Sequence, residues 1–228
     1  MQRQALRRRH RPSSAVECEE LVQKMYSSVK PSTHSGNQWE SNIGEVLPES
    51  VTFLLTIVGP IGPSDVFLDV GSGLGNIVCQ VLLQTDAQKA IGMEKQRAVL
   101  ELGESTVNKW QHNHRVLKNA EFHEGDVRAY VDELPEYALD TTIVYSNNVR
   151  FRADANHALF QLASSLPKVR LLITAVETCP RHRARCQNRL CATWKCTDII
   201  QTAVSWTASP VLFYVYKRVD LLGSVLNM

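Results

Sequence analysis

A glycine-rich turn between a predicted strand and a predicted helix constrains the fold of this chain more than any other feature. Gly71, Gly73 and Gly75 follow Asp69 at intervals of two, at the end of the apolar run 66–70. Glycine lets a turn close tightly and lets a ligand approach the backbone. The residues that follow, 76–84, have the apolar spacing of a helix. The segment therefore predicts a strand, a turn open to a ligand and a helix in succession, with a tight turn that binds nothing as the alternative.

Strands and helices alternate along most of the chain, which predicts a parallel sheet covered by helices on both faces. The end of the chain differs, because two strand-like runs flank the turn residues 207–210 and indicate an antiparallel hairpin. The fold class is therefore α/β, Rossmann-like, with a mostly parallel seven-stranded sheet, an antiparallel C-terminal hairpin and a small N-terminal helical segment. Strands are predicted at 66–70, 89–95, 120–127, 141–148, 170–177, 195–206 and 211–219, and helices at 16–29, 49–58, 76–84, 97–112 and 154–166. The predicted organisation is a basic tail at 1–15, a helical segment with a covering loop at 16–63 and a ligand-binding domain at 64–228.

The spacing of the glycine turn separates two classes of cofactor. A dinucleotide-binding turn would need a glycine where this chain has Asn76. An acid followed by three glycines at intervals of two is usual in class I methyltransferases, which use S-adenosylmethionine, and a closing hairpin is typical of the same fold. Asp69 is suited to an ammonium group, because a carboxylate would repel a pyrophosphate.

Two further acids end the next two predicted strands. Glu94 can accept hydrogen bonds from both ribose hydroxyls, and Asp126 can accept one from an adenine amino group. Each acid by itself has a plain alternative as a solvated carboxylate at a strand end. Because the carboxyl ends of parallel strands meet in one crevice, however, the three acids together indicate a single binding site.

The fourth predicted strand ends in the residues SNNVRF, 146–151. Methyltransferases that act on planar nitrogens of bases often have two prolines and an aromatic residue at this place. The missing prolines count against a DNA or RNA base as the substrate. The alternative is that Asn147 and Asn148 only satisfy a turn.

Taken in order, the motifs DVGSGLGNIVCQ, GMEK, GDV, NNVRF and VSWTASPVLFYVY resemble the disruptor-of-telomeric-silencing family of histone H3 lysine methyltransferases, which lack a SET domain. The resemblance runs from about residue 42 to residue 216, and the short chain is most similar to the compact kinetoplastid members. It implies a nuclear enzyme that uses S-adenosylmethionine to methylate a lysine on the globular face of histone H3 in nucleosomes. That lysine is position seventy-nine in most eukaryotes and seventy-six in kinetoplastids.

The resemblance also implies roles for individual residues. A loop over the cofactor would contain Gly44, Glu45 and Val46. The methionine part would be held by Asp69, Gly71, Ser72, Gly73, Gly75 and Asn76, the ribose by Glu94, and the adenine by Asp126 and Val127. Asn147 would lie by the transferred methyl group, and the aromatic residues around a channel for the lysine would be Phe151, Phe213 and Tyr214.

Five positions depart from the family pattern. The loop reads Ile-Gly-Glu-Val instead of Tyr-Gly-Glu-Thr, Asn76 replaces a glutamine, Val127 an aromatic residue and Phe213 a tyrosine. Together the changes leave the cofactor site with fewer polar and aromatic contacts. We therefore expect the same binding mode with a different affinity and a different pattern of mono-, di- and trimethylated product.

The net charge of +2 conceals two basic stretches. One contains Arg7, Arg8, Arg9 and Arg11, and the other contains Arg181, Arg183 and Arg185. Such stretches favour a polyanion as the partner, and with the resemblance that partner is nucleosomal DNA or the acidic face of the histones. A solvated tail and loop, or a nuclear import signal in the first stretch, are the alternatives.

The remaining features set limits on the function. The longest apolar run, 51–58, is too short for a membrane span, and six cysteines without an export signal predict a soluble intracellular protein with no membrane partner. Cys179, Cys186, Cys191 and Cys196 are spaced more widely than most structural zinc ligands, so free thiols and no metal are expected, with zinc as the alternative. The rival functions are a methyltransferase of the same fold that acts on RNA or on another protein, and an inactive nucleosome- or RNA-binding module.

Overall fold

A mostly parallel sheet organises the computed structural model, which describes residues 14–29, 46–130, 132–179, 189–205 and 207–219. Within these residues the sheet has seven strands in the order β3-β2-β1-β4-β5-β7-β6. The first five strands pair in parallel, and β7 runs antiparallel to both β5 and β6. The strands are β1 (Val66–Val70), β2 (Lys89–Glu94), β3 (Ala120–Glu124), β4 (Ile143–Ser146), β5 (Leu171–Thr174), β6 (Trp194–Val204) and β7 (Thr207–Arg218). The predicted fold class is confirmed.

Helices cover both faces of this sheet. They are α1 (Ala15–Tyr26), α2 (Pro48–Val58), α3 (Asn76–Gln84), α4 (Arg97–Trp110), α5 (Ala153–Ser165) and the short α6 (Arg189–Thr193). Proline begins α2, where its missing N–H leaves no hydrogen bond unmade. Short 3₁₀ turns at Arg115–Asn119, Val127–Tyr130, Glu136–Ala138 and Asn148–Arg150 connect the other elements.

The alternation of side chains along the strands divides the core into two layers. Phe67, Tyr145 and Phe213 point to the face that α2 and α3 cover. Leu68 and Val144 point to the opposite face, against α5. Since all five residues of β1 are buried, the strand reads as a continuous apolar run around one acid, Asp69. That acid lies on the face of α2 and α3, because side chains two residues apart share a face.

The N-terminal helix α1 packs against α3 and α4. Its buried residues Cys18, Val22 and Met25 form a third apolar cluster with Leu83 and Val107. Ser14 caps the helix, and its hydroxyl accepts a hydrogen bond from the backbone N–H of Glu17 at 3.2 Å. Helix α1 is therefore part of the same packed unit as the sheet, while the predicted division of the chain at residues 15 and 63 stays a prediction.

The predicted turn of the C-terminal hairpin is wrong. Val204 of β6 already pairs with Thr207 of β7, so residues 207–210 belong to the second strand. Pro210 is tolerated there because the register shifts between Thr202 and Val204, and proline is accepted at such irregularities. No helix in the part of the chain that the structure describes is both long enough and apolar enough to cross a membrane.

Candidate active site

An open cavity lies at the carboxyl ends of β1, β2 and β4, where parallel sheets of this kind bind ligands. It encloses about 1130 Å³ of empty space, including its open mouth. Of the predicted site residues in the described part of the chain, eleven line it: Val46, Asp69, Gly71, Ser72, Gly73, Asn76, Glu94, Asp126, Val127, Asn147 and Phe151. The cavity is therefore where the predicted residues meet.

The glycine turn forms the floor of this cavity. Gly71, Gly73 and Gly75 have φ angles of 82°, 55° and 77°, in the left-handed region that favours glycine. A Cβ on Gly71 would lie 2.9 Å from the Phe151 ring, and one on Gly75 would overlap the Phe122 ring. The backbone N–H groups of Gly71 and Ser72 both donate to the carbonyl of Met93, at 2.8 and 3.0 Å. These bonds tie the turn to the end of β2.

Gly103 contacts the glycine turn from the neighbouring helix and was not among the residues predicted from the sequence. It lies in α4, where a Cβ would be only 2.6 Å from the carbonyl oxygen of Leu74, between Gly73 and Gly75. Because glycine has a hydrogen where other residues have a Cβ, α4 can contact the turn at this point. A glycine inside a helical pattern was the available signal, since it lowers helix stability without an evident local benefit.

Two buried acids flank the turn. Burial, and then the charge of Glu94, raise the pKa of Asp69 well above its ordinary range. Glu94 is held by the backbone, because its carboxylate accepts hydrogen bonds from the N–H groups of Gly73 at 3.0 Å and of Gln96 at 2.9 Å. Two carboxylates in an apolar setting form a site that is suited to a positive group and to hydroxyl donors.

Asp126 lies at the far end of the cavity and is bound by Arg128. Its Oδ1 accepts from the backbone N–H and from Nε of Arg128, each at 3.0 Å, and the same guanidinium donates to Asp154 of α5 at 3.0 Å. These hydrogen bonds from Arg128 lower the pKa of Asp126, so the carboxylate stays charged. Arg128 was not among the predicted site residues, and its position two residues after Asp126 was the available signal.

The two asparagines after β4 have different surroundings. Asn147 lines the cavity. Asn148 is buried, its Oδ1 accepts from the N–H groups of Ala175 and Val176 at 2.8 and 3.1 Å, and its amide donates to Asn156 at 2.7 Å. The turn alternative proposed from the sequence therefore describes Asn148, which ties the ends of β4 and β5 to α5.

Phe213 and Tyr214 are not brought together. They are consecutive in β7, so their side chains point to opposite faces of the sheet. Phe213 is fully buried and its ring is 5.6 Å from that of Tyr145, whereas Tyr214 lies 6.5 Å from Tyr216 on the other face. Neither belongs to the cavity lining, and their roles in a lysine channel stay predictions.

Tyr145 of β4 also lines the cavity, two residues before Asn147, which follows the strand. Tyr145 was not among the site residues predicted from the sequence. Its parallel pairing with Asp69 in β1 places it at the site, and this pairing between distant segments is invisible in a local pattern.

Several predicted residues lie outside the described part of the chain. These are Gly44 and Glu45 of the covering loop, both sets of arginines (Arg7, Arg8, Arg9, Arg11 and Arg181, Arg183, Arg185), and Cys186 with His182. The last loop residue, Val46, is described: it is buried, bridges to Val204 and lines the cavity. Among the described residues no group of three metal-binding side chains comes together.

Two known histone methyltransferases are similar to this chain in sequence. A curated histone-lysine N-methyltransferase from Drosophila melanogaster, specific for H3 lysine 79, is 25% identical over 215 residues, which cover 86% of this chain and 11% of that protein. Its counterpart from Caenorhabditis elegans is 39% identical over 51 residues, 22% of this chain and 5% of that protein. This chain thus spans a small part of the length of either relative.

Among solved structures, magnesium protoporphyrin IX methyltransferase from Synechocystis, with bound S-adenosylmethionine, has the same fold. The TM-score is 0.53 at 12% identity, over 88% of this chain and 97% of that one. The family model for the histone methylation protein DOT1 matches residues 26–218, which are most of the chain and include all seven strands of the described sheet. The resemblance deduced from the motifs is confirmed, and the chain belongs to the DOT1 family of histone methylation proteins.

Proposed function

We propose that this chain is an S-adenosylmethionine-dependent methyltransferase that acts on the globular-core lysine of histone H3 in nucleosomes, the lysine that is position seventy-nine in most eukaryotes. One observation carries the proposal: the glycine turn, Asp69, Glu94, Asp126 and Asn147 meet in one cavity of a DOT1-family chain. The names of the Drosophila and Caenorhabditis relatives supply the substrate.

The donors and acceptors of the cavity fit this cofactor. An ammonium group at Asp69 would offset the cost of a carboxylate that is 2% exposed and has a raised pKa. Glu94 presents acceptors to a ribose diol, and Asp126 presents one to an adenine amine. The hydroxyl of Ser72 is buried without a hydrogen-bond partner among the described residues, which leaves it available to a ligand.

When it is bound, the cofactor supplies a methyl group on a positively charged sulfur. The chain's own contribution is to orient the substrate and exclude water. A free lysine has a pKa of about 10.4 and is almost entirely charged at neutral pH. Apolar walls such as Phe151 and Val46 disfavour the ammonium form, so the lysine can lose its proton to water before it enters. No general base is then required, and aromatic rings can still hold a partly methylated product by cation–π attraction.

The partner in this proposal is the nucleosome, and the place of action is the nucleus. Arg7, Arg8, Arg9 and Arg11, with the second basic stretch, supply positive charge for DNA phosphates or for acidic histone side chains. Replacing the first four arginines by glutamine should weaken nucleosome binding and flatten its salt dependence, with cofactor affinity unchanged. A parallel loss of cofactor affinity would contradict a docking role.

The direct test is methyl transfer from labelled S-adenosylmethionine to reconstituted nucleosomes, free histone H3 and bulk RNA, measured side by side. We expect label on H3, with nucleosomes preferred. Asp69→Asn is the matched inactive control, because it removes the charge at nearly constant volume. Label on RNA, or cofactor binding without any transfer, would refute the histone assignment and favour one of the two rival functions.

A further inference from the structure

The hydroxyl of Tyr145 is a buried polar group that the mechanism above does not use. The side chain is 2% exposed, and its hydroxyl has no hydrogen-bond partner among the described residues. The ring lies between two others, with centroids 6.0 Å from Phe67 and 5.6 Å from Phe213. Phenylalanine would make the same ring contacts without an unmade hydrogen bond. Because an unpaired buried hydroxyl destabilises the fold, its presence here requires an explanation.

The position of Tyr145 explains why a hydroxyl is present there. Tyr145 borders the cavity, pairs with Asp69 across β1 and β4, and comes two residues before Asn147, which also lines the cavity. A ligand in the cavity is therefore the natural partner for the hydroxyl. Phe213, which stacks on Tyr145, is the position where the family pattern has a tyrosine.

We propose that the Tyr145 hydroxyl accepts a hydrogen bond from the N–H of the substrate amine, and so takes over a polar contact that Phe213 does not supply. This inference rests on the proposed function. The amine nitrogen forms a bond to the methyl carbon as the bond from that carbon to sulfur breaks, and the electron pair stays on sulfur. The product ammonium then gives its proton to water.

Tyr145 serves in this step as a hydrogen-bond acceptor and not as a base. Burial, and then the charge of Asp69, raise the pKa of Tyr145 well above its ordinary range, so the phenol keeps its proton. The carboxylate of Asp69 is the stronger partner for a charged ammonium, which leaves the phenol for the neutral amine. Each methylation replaces one N–H by a methyl group, so this contact should influence how many methyl groups are added.

The test compares Tyr145→Phe, Phe213→Tyr and the double exchange with the unchanged protein. Four quantities are measured: Tm without ligand, Kd for S-adenosylhomocysteine by calorimetry, kcat on nucleosomes, and the proportions of methylated H3 by mass spectrometry. For Tyr145→Phe we expect Tm to rise by about 2–4 °C, because an unpaired buried hydroxyl is removed. Kd should stay within about twofold, while kcat falls about tenfold or more and the product proportions change. The double exchange should recover part of kcat.

Tyr26→Phe is the matched control, since Tyr26 is a buried tyrosine away from the cavity whose hydroxyl is 3.1 Å from Sγ of Cys79. Removing a paired hydroxyl should lower Tm or leave it unchanged, with kcat and products as in the parent. Unchanged kcat and product proportions in Tyr145→Phe would overturn the inference. A rise in Kd that accounts for the whole loss would also overturn it, because the hydroxyl would then hold the cofactor. Absence of transfer by the parent protein on every substrate would instead refute the proposed function, and this inference with it.

Discussion

Replacing Gly103 by alanine tests whether α4 holds the glycine turn in place. In an exposed part of a helix this change would stabilise the protein by about 1 kcal/mol, because alanine is the better helix former. Here the new Cβ would lie 2.6 Å from the carbonyl oxygen of Leu74, whereas ordinary contacts begin near 3.4 Å. Overpacking of this kind costs about 1–3 kcal/mol, and a backbone oxygen yields less readily than a side-chain tip, which favours the upper part of that range.

The two effects oppose each other, and the overlap should win. We expect a net loss of about 1–2 kcal/mol in the free energy of unfolding, measured by urea titration. The corresponding fall in Tm is about 2–8 °C for a chain of this size. Because Leu74 lies between Gly73 and Gly75, a retreating helix would also disturb the N–H of Gly73 that donates to Glu94. Affinity for S-adenosylhomocysteine, measured by calorimetry, should therefore fall severalfold.

Ser105→Ala is the control for this experiment, because Ser105 is exposed in the same helix. It should raise helix propensity without touching the turn, and stability should rise slightly or stay constant. If Gly103→Ala stabilised the protein as Ser105→Ala does and left cofactor affinity intact, the contact between α4 and the turn would contribute neither to stability nor to cofactor binding.

Four further substitutions test the charged groups. Asp69→Asn should raise Tm at neutral pH and abolish cofactor binding. The pKa of Asp69 is raised in the folded state, so the ligand-free fold loses stability as pH rises through that pKa. Thermal unfolding at several pH values measures the change in Tm, and calorimetry measures the loss of binding. Arg170 and other donors hold the pKa of Asp65 below its ordinary value despite burial, so this carboxylate contributes stability above about pH 4 that is lost as pH falls further. Asp65→Asn should flatten that acid limb in urea titrations, and Arg170→Met should cost about 1–2 kcal/mol at neutral pH. Arg128→Gln should raise the pKa of Asp126, weaken S-adenosylhomocysteine binding severalfold and move its acid limit to higher pH, whereas an unchanged pH profile in calorimetry would show that the pair does not matter for binding.

The fold was predictable where local patterns and tertiary structure agree. The predicted strand 66–70 and helix 76–84 coincide with β1 and α3 to the residue, because an apolar run, a glycine turn and a helical pattern have sharp boundaries. The predicted strand 141–148 is longer than β4, since its last residues form the turn at Asn148–Arg150. The hairpin turn was placed wrongly because Pro210 looks like a turn residue, and only the shifted register of β6 and β7 makes it acceptable in a strand.

The cofactor side of the site was more predictable than the substrate side. Asp69, Glu94 and Asp126 each end or follow a strand, so the parallel topology alone brings them to one cavity. Tyr145 and Gly103 owe their importance to contacts with segments far away in the chain, and no local pattern reveals those contacts. Phe213 and Tyr214 are consecutive in β7 and face opposite sides of the sheet, so their common role in a lysine channel stays a prediction.

The departures from the family pattern point to where the binding energy must come from. Val46 is buried in the layer against α2 and α3, and Val127 is buried in the layer against α5. Where the pattern has polar or aromatic groups, this chain therefore has apolar side chains that complete its core. Fewer groups remain to recognise a polar cofactor, so each remaining acid must contribute a larger share of the affinity. Removing the Glu94 carboxylate should accordingly weaken binding much more than restoring an aromatic residue at Val127 strengthens it.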